Sequence, residues 1–205
     1  MTGVPSQAKR QAILDAATAA FLDHGYAASV DDIAAAAGVG KQTVYRHFGD
    51  KQALFLAALA AARETDENRS AAASVSAADP TTALTRIGEH ILTVALSPTV
   101  AALHRLTIAE IGNHPELNHH WADTAAPYLD EELTGYLRRC HAAGALQVPD
   151  PARTARQFAY LLITEGRVAS VYGTKPLPPK QRHTIAADTA DLIVRAQRPV
   201  LNPAR

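Results

Sequence analysis

Between Lys41 and His47, every residue except Val44 carries a charge or a hydrogen-bonding group: Lys41, Gln42, Thr43, Tyr45, Arg46 and His47. Val44 and Phe48 lie four residues apart and define one inward face of a helix, which leaves the six polar side chains on the remaining surface. Ammonium and guanidinium groups suit phosphate oxygens, whereas the amide of Gln42 can make a bidentate contact with a base edge. That mixture is the chemistry of a duplex reader. Lys41, Gln42 and Thr43, at the helix start, are expected at base edges or nearby phosphates, and Arg46 fits either set. Lys51 opens the next helix and can join its charge to that helix's N-terminal N–H groups in holding a phosphate.

The elements that must position these groups are legible on either side of them. Ala34, Gly38 and Val44 are spaced four residues and then six apart, the offsets of a helix-turn-helix. Ala34 is small where two helices cross, Gly38 can take the left-handed conformation that ends the first helix, and Val44 buries the second against it. A pair held this way can push one helix into the major groove. Ser29 is placed to cap the first helix, and Asp32 sits where a capping-box acid reaches back. Val30, Ile33, Ala34 and Ala37 form its inner stripe. Gly49 is placed to stop the second helix and Asp50 to cap a third, beginning Lys51-Gln52-Ala53-Leu54-Phe55.

Other reactive groupings are poorer. His119 and Asp123 share one helical face near His114 and His120, but no His-Glu-x-x-His motif or further ligand set accompanies them. Histidines on a polar helix surface account for the cluster more simply. Cys140 beside His141 suggests an activated thiol or an incidental cysteine, and adjacent helical residues diverge, which favours the second. There is no glycine-rich phosphate loop and no Gly-x-Ser-x-Gly elbow. The sequence implies no catalytic residue, no cofactor and no metal.

Charge gives little help. The 205-residue chain has a formal net charge of zero, so no global field draws it to nucleic acid. Within residues 1–51, Lys9, Arg10, Lys41, Arg46 and Lys51 are matched by Asp15, Asp23, Asp31, Asp32 and Asp50. The cations gather near the N-terminus and on the second motif helix, whereas the acids sit at helix starts. Modest non-specific affinity and a reliance on geometry are expected. One cysteine, a start without the apolar stretch of a signal peptide, and a longest apolar run from Leu54 to Ala62 predict a cytoplasmic protein with no membrane partner.

The rest of the chain reads as helical throughout. Residues 1–8 are expected to form an arm, followed by a helix from about Lys9 to His24 with Ile13, Leu14, Ala17 and Phe21 inward. An Ala/Ser stretch before Asp79-Pro80 suits a hinge, and helices are expected to start near Pro80, Pro98 and Pro115. A long helix ends at Gly144, another runs from about Ala152 to Tyr172, and a last one reaches about Arg198. Phe158, Leu161, Leu162, Glu165, Ala169 and Tyr172 form one stripe, and Ile185, Ala186, Thr189, Leu192, Ile193 and Ala196 form a second. Such stripes complete either the monomer's own core or an interface. Because a helix-turn-helix reads palindromic half-sites as a symmetric pair, a homodimer is expected, with Leu162, Glu165, Ala169 and Leu192 at its interface.

The segment Ile33-Ala34-…-Ala37-Gly38-Val39, with Lys41-…-Thr43-Val44-Tyr45-…-His47-Phe48 and Lys51-…-Ala53-Leu54, resembles the TetR family of transcriptional regulators. The likeness extends upstream through Ile13-Leu14-Asp15-Ala16-Ala17 and Phe21-…-His24-Gly25-Tyr26. Two departures stand out: Gly40 replaces the more usual Ser or Thr, and the connection from Gly25 to Val30 is one residue shorter and lacks a Thr. His104-Arg105-Leu106-…-Ile108-Ala109-Glu110 with His114-Pro115-Glu116-Leu117, and Gly144 to Phe158, look like the AefR-like C-terminal domain of one TetR subgroup. The resemblance implies an all-α protein: a three-helix DNA-binding head over residues 1–55, then a helical ligand-binding and dimerising bundle over 56–205. It implies backbone contacts from Tyr45 and His47, a pocket in the bundle, dimerisation through the last two helices and, since the family mostly represses, a repressor of double-stranded operator DNA. An activator or effector-independent binder is the alternative; the motif argues against an all-helical enzyme. Trp121, Tyr128 and Tyr160, with His104 and Glu110 as polar partners, are candidates for the lining of a pocket for a small apolar or aromatic effector, and each aromatic taken alone fits an ordinary core position better.

Overall fold

The computed structural model describes residues 4–63, 79–115 and 127–198. Among these the regular elements are nine α-helices and one 3₁₀ turn: α1 (Val4–His24), the turn Gly25–Ala27, α2 (Val30–Ala36), α3 (Lys41–Phe48), α4 (Lys51–Arg63), α5 (Pro80–Ala95), α6 (Pro98–Glu110), α7 (Pro127–Ala142), α8 (Pro151–Ala169) and α9 (Pro179–Ala196). The hinge stretch, most of the segment after Pro115, and His119, His120, Trp121 and Asp123 lie outside the described residues. α1 starts at Val4, so residues 4–8 belong to a helix and not to the expected arm; Pro5 in its first turn costs no hydrogen bond.

The chain packs as two units, one holding α1–α4 together with α6, the other α5 with α7–α9. In the first, Ile13, Leu14, Ala17 and Phe21 form the buried face of α1, as their spacing requires, and close on α2 and α4. Phe55 meets both Phe21 and Tyr26 edge to face, with ring centroids 5.0 Å and 5.4 Å away, while the Phe21 and Tyr26 rings lie nearly parallel at 6.2 Å. α6 is part of this unit: it packs on α4, α1 and the 3₁₀ turn, and Leu103 is wholly buried in the same core.

In the second unit two helices open on the same device. Asp79 accepts the N–H of Thr82 at 3.1 Å and Asp150 that of Arg153 at 3.0 Å, each before a proline in the first turn. α9 lies along α5, and α8 packs on α5, α7 and α9. Gly166 admits Leu92 so closely that a methyl on its α-carbon would collide with that side chain. α8 stops at Ala169, short of the expected Tyr172. Val171 and Tyr172 take φ of 50° and 55°, left-handed values that an α-helix of L-residues cannot continue.

Leu162 lies in this core at 0% exposure. Leu162→Ala is therefore expected to destabilise the fold by roughly 2–5 kcal/mol through lost burial and a residual cavity. Denaturant unfolding would show this as a lower midpoint at unchanged slope.

Candidate nucleic-acid interface

α2 and α3 are joined by four residues whose backbone is determined locally. Ser29 accepts the N–H of Asp31 at 3.1 Å to start α2, and Gly38, at φ 65°, lets Val39 N–H return to the carbonyl of Ala34 at 3.0 Å. Gly40 caps α3 without a side chain; its carbonyl takes the N–H of Thr43 at 2.8 Å. Gly49, at φ 83°, ends α3, and Asp50 accepts the N–H of Ala53 at 2.7 Å to begin α4. Val44 is buried against the pair, while Lys41, Gln42, Tyr45 and Arg46 are exposed and Thr43 and His47 half-buried. The outward face predicted for this helix is present as one surface.

Each cation on that surface has a reversible internal partner. The Lys41 ammonium donates to Asp31 of α2 at 2.8 Å, and that hydrogen bond, followed by the carboxylate's charge, raises its pKa. Both side chains are solvated, so this pair adds little stability and can be exchanged for a phosphate. Arg46 reaches Thr43 one turn back at 3.4 Å. The Arg10 guanidinium of α1 lies 5.1 Å from the centre of the Phe48 ring, at the end of α3. Arg10 was legible only as an N-terminal cation; no local spacing ties residue 10 to residue 48.

Lys51 is less exposed. Its ammonium lies 4.9 Å from the centre of the Tyr26 ring, and partial burial lowers its pKa against the opposing effect of Glu110. A polar pocket of about 480 Å³ is lined by Lys51, Tyr26, Ala27, Glu110 and His114.

The remaining predicted residues fall in separate places. His104 is buried on α6, in the first unit with Glu110, whereas Tyr160 is on α8 in the second and exposed. Tyr128 lies on α7, and its side chain is outside the described residues. Tyr160, Glu165, Ala169 and Leu192 line an open, largely apolar groove of about 1000 Å³ between α8 and α9, together with Leu161 and Val168. Leu162 faces away from it, into the core. Cys140 is buried among core residues, while the Nδ1 of His141 accepts the N–H of Val148 at 3.2 Å. The two neighbours thus serve separate structural roles.

The left-handed turn, the locked Val44 and the exposed polar face of α3 define a helix-turn-helix DNA-binding protein. Residues 13–58 match the model of the tetR family of bacterial regulatory proteins, and residues 82–198 match that of the AefR-like transcriptional repressor C-terminal domain. The chain belongs to the TetR family of transcriptional regulators. It is 31% identical over 164 residues to the HTH-type transcriptional repressor Rv1474c of Mycobacterium tuberculosis, covering 76% of this chain and 79% of that one. It is 46% identical over 57 residues to the HTH-type transcriptional activator FasR of Mycolicibacterium smegmatis, a match spanning 27% of this chain and only 26% of the activator. The solved structure of the flavonoid-responsive regulator FrrA superposes with a TM-score of 0.74 at 27% identity, covering 94% of this chain and 98% of that one. Among the described residues no single helix is long and apolar enough to cross a membrane.

Proposed function

We propose that this regulator is a cytoplasmic, ligand-responsive repressor that binds a palindromic operator as a homodimer. The observation that carries the reading is α3 itself: Val44 anchors it while Lys41, Gln42, Tyr45 and Arg46 stand on one exposed surface. Lys41, Gln42 and Thr43 read bases or adjacent phosphates; Tyr45, His47 and Lys51 hold the backbone, and Arg46 joins either set. The apolar α8–α9 groove supports pairing of two copies. Repression is supported by the name of Rv1474c and by the AefR-like repressor model over most of the second part. A small apolar or aromatic effector is supported by the likeness to a flavonoid-responsive regulator, which makes flavonoids the first compounds to screen. The reading of an activator draws on the likeness of the head to FasR, which covers the DNA-reading part alone. Where the operator lies relative to its promoter decides between the two.

Selection of bound fragments from the source genome supplies the operator. Replacing Lys41, Gln42, Thr43 and Tyr45 together by alanine is expected to abolish discrimination between that operator and random DNA. Gln42→Ala alone is expected to relax preference at one base pair by about 1–3 kcal/mol. Unchanged affinity and specificity in the fourfold variant would overturn the assignment.

A further inference from the structure

α6 ends inside the DNA-binding unit, at the residue proposed to clamp the backbone. Its sequence falls within the stretch matched by the AefR-like C-terminal model, residues 82–198, yet it packs on α4 and on the 3₁₀ turn of the head. Leu106 stands against Gly25, which is held at φ 64°. At the end of the helix Glu110 and His114 join Lys51 and Tyr26 around the polar pocket. The His114 and Tyr26 rings are 4.5 Å apart between centroids, and the His114 Nε2 lies 3.9 Å from the Glu110 carboxylate. Glu110, the last residue of α6, thus shares this pocket with Lys51, the first residue of α4.

We propose that Glu110 is a competing counter-ion for Lys51: its carboxylate sets how much of that ammonium's charge is available to a DNA phosphate. The inference rests on the reading of Lys51 as a phosphate contact and adds to it the residue that regulates the contact. A carboxylate beside an ammonium offsets the positive potential and also repels an approaching phosphate. The Tyr26 ring attracts the ammonium to the same place, so phosphate must draw Lys51 away from that ring and against the field of the carboxylate across the pocket. A shift of α6 relative to α4 changes the separation of the two charges. Any event that moves α6 is thus read at the DNA contact without passing through α3.

The test uses the full chain with a random-sequence duplex and the selected operator, titrated across a range of salt. Glu110→Gln is expected to bind both duplexes about two- to five-fold more tightly, the range of a solvated ion pair. Its salt dependence should steepen by up to about 0.9 in the logarithmic slope, one phosphate's worth of released counterion. Glu110→Asp, which keeps the charge, should retain the wild-type slope. In a Lys51→Ala background the effect of Glu110→Gln should shrink well below its size in the wild type, to the direct repulsion between carboxylate and phosphate alone. If Lys51→Ala binds as well as the wild type, the phosphate reading of Lys51 fails, and this inference with it. If Lys51→Ala weakens binding but Glu110→Gln does not tighten it, or tightens it equally without Lys51, the inference alone is overturned.

Discussion

A chain carrying both Leu161→Glu and Leu192→Glu is expected to stay folded, to sediment as a monomer at micromolar concentration and to lose operator affinity by about a hundredfold or more. The two leucines are 47% and 55% exposed and line the α8–α9 groove with Tyr160 and Val168. Exposed aliphatic and aromatic side chains gathered along two adjacent helices are unusual on a monomer surface and fit a self-complementary face. Two recognition helices paired across a two-fold axis can meet half-sites about 34–36 Å apart, one duplex turn, or a multiple of it. A single head has to bind with half of those contacts, and the affinity contributed by the second is lost. The variant must target the exposed leucines. A charge at Leu162, one residue along, enters the core and unfolds the second unit. Equilibrium sedimentation of the wild type decides the premise: a folded monomer at micromolar concentration would remove the basis for the dimer.

The leucine pair also shows where the sequence is readable and where it is not. Successive helical residues are turned by about 100°, so Leu161 and Leu162 cannot share a face. Periodicity registers both as apolar and merges the stripes; only the position of α5 shows that Phe158, Leu162 and Gly166 form the inward one. The helix-turn-helix was legible because its constraints are local. Gly38 and Gly49 take the positive φ their positions demand, Ser29 and Asp50 cap the helices they precede, and Val44 is buried, all within about 25 residues of chain. The end of α8 carried no such signal, since Val171 and Tyr172 are residue types that seldom adopt left-handed backbone. The pocket joining Lys51 to Glu110 was equally hidden. It depends on α6 packing against a turn more than 80 residues earlier, and no spacing rule spans that distance.

An effector that weakens operator binding a hundredfold is expected to bind the operator-loaded protein a hundredfold more weakly than the free protein, a coupling of ~2.7 kcal/mol. The equality is a matter of linkage and holds whatever path connects the sites. A compound with equal affinity for the DNA-bound and DNA-free arrangements shifts nothing, however tightly it binds. The fold narrows what the two arrangements can be. α4 carries Lys51 at its start and packs against α3, α1 and α6. A displacement of α6 therefore bears on α4 directly, through side chains as well packed as Leu59 and Leu103, both at 0% exposure. Close-packed helices do not deform continuously, so such a shift is expected to move α4 between discrete positions and, with it, the recognition helix packed on α4. Calorimetric titration of a releasing compound, with and without saturating operator, measures the coupling from the ligand side. Equal affinities in the two titrations would show that release by that compound does not arise from binding to this protein, and the ligand-responsive reading would lose its support from that compound.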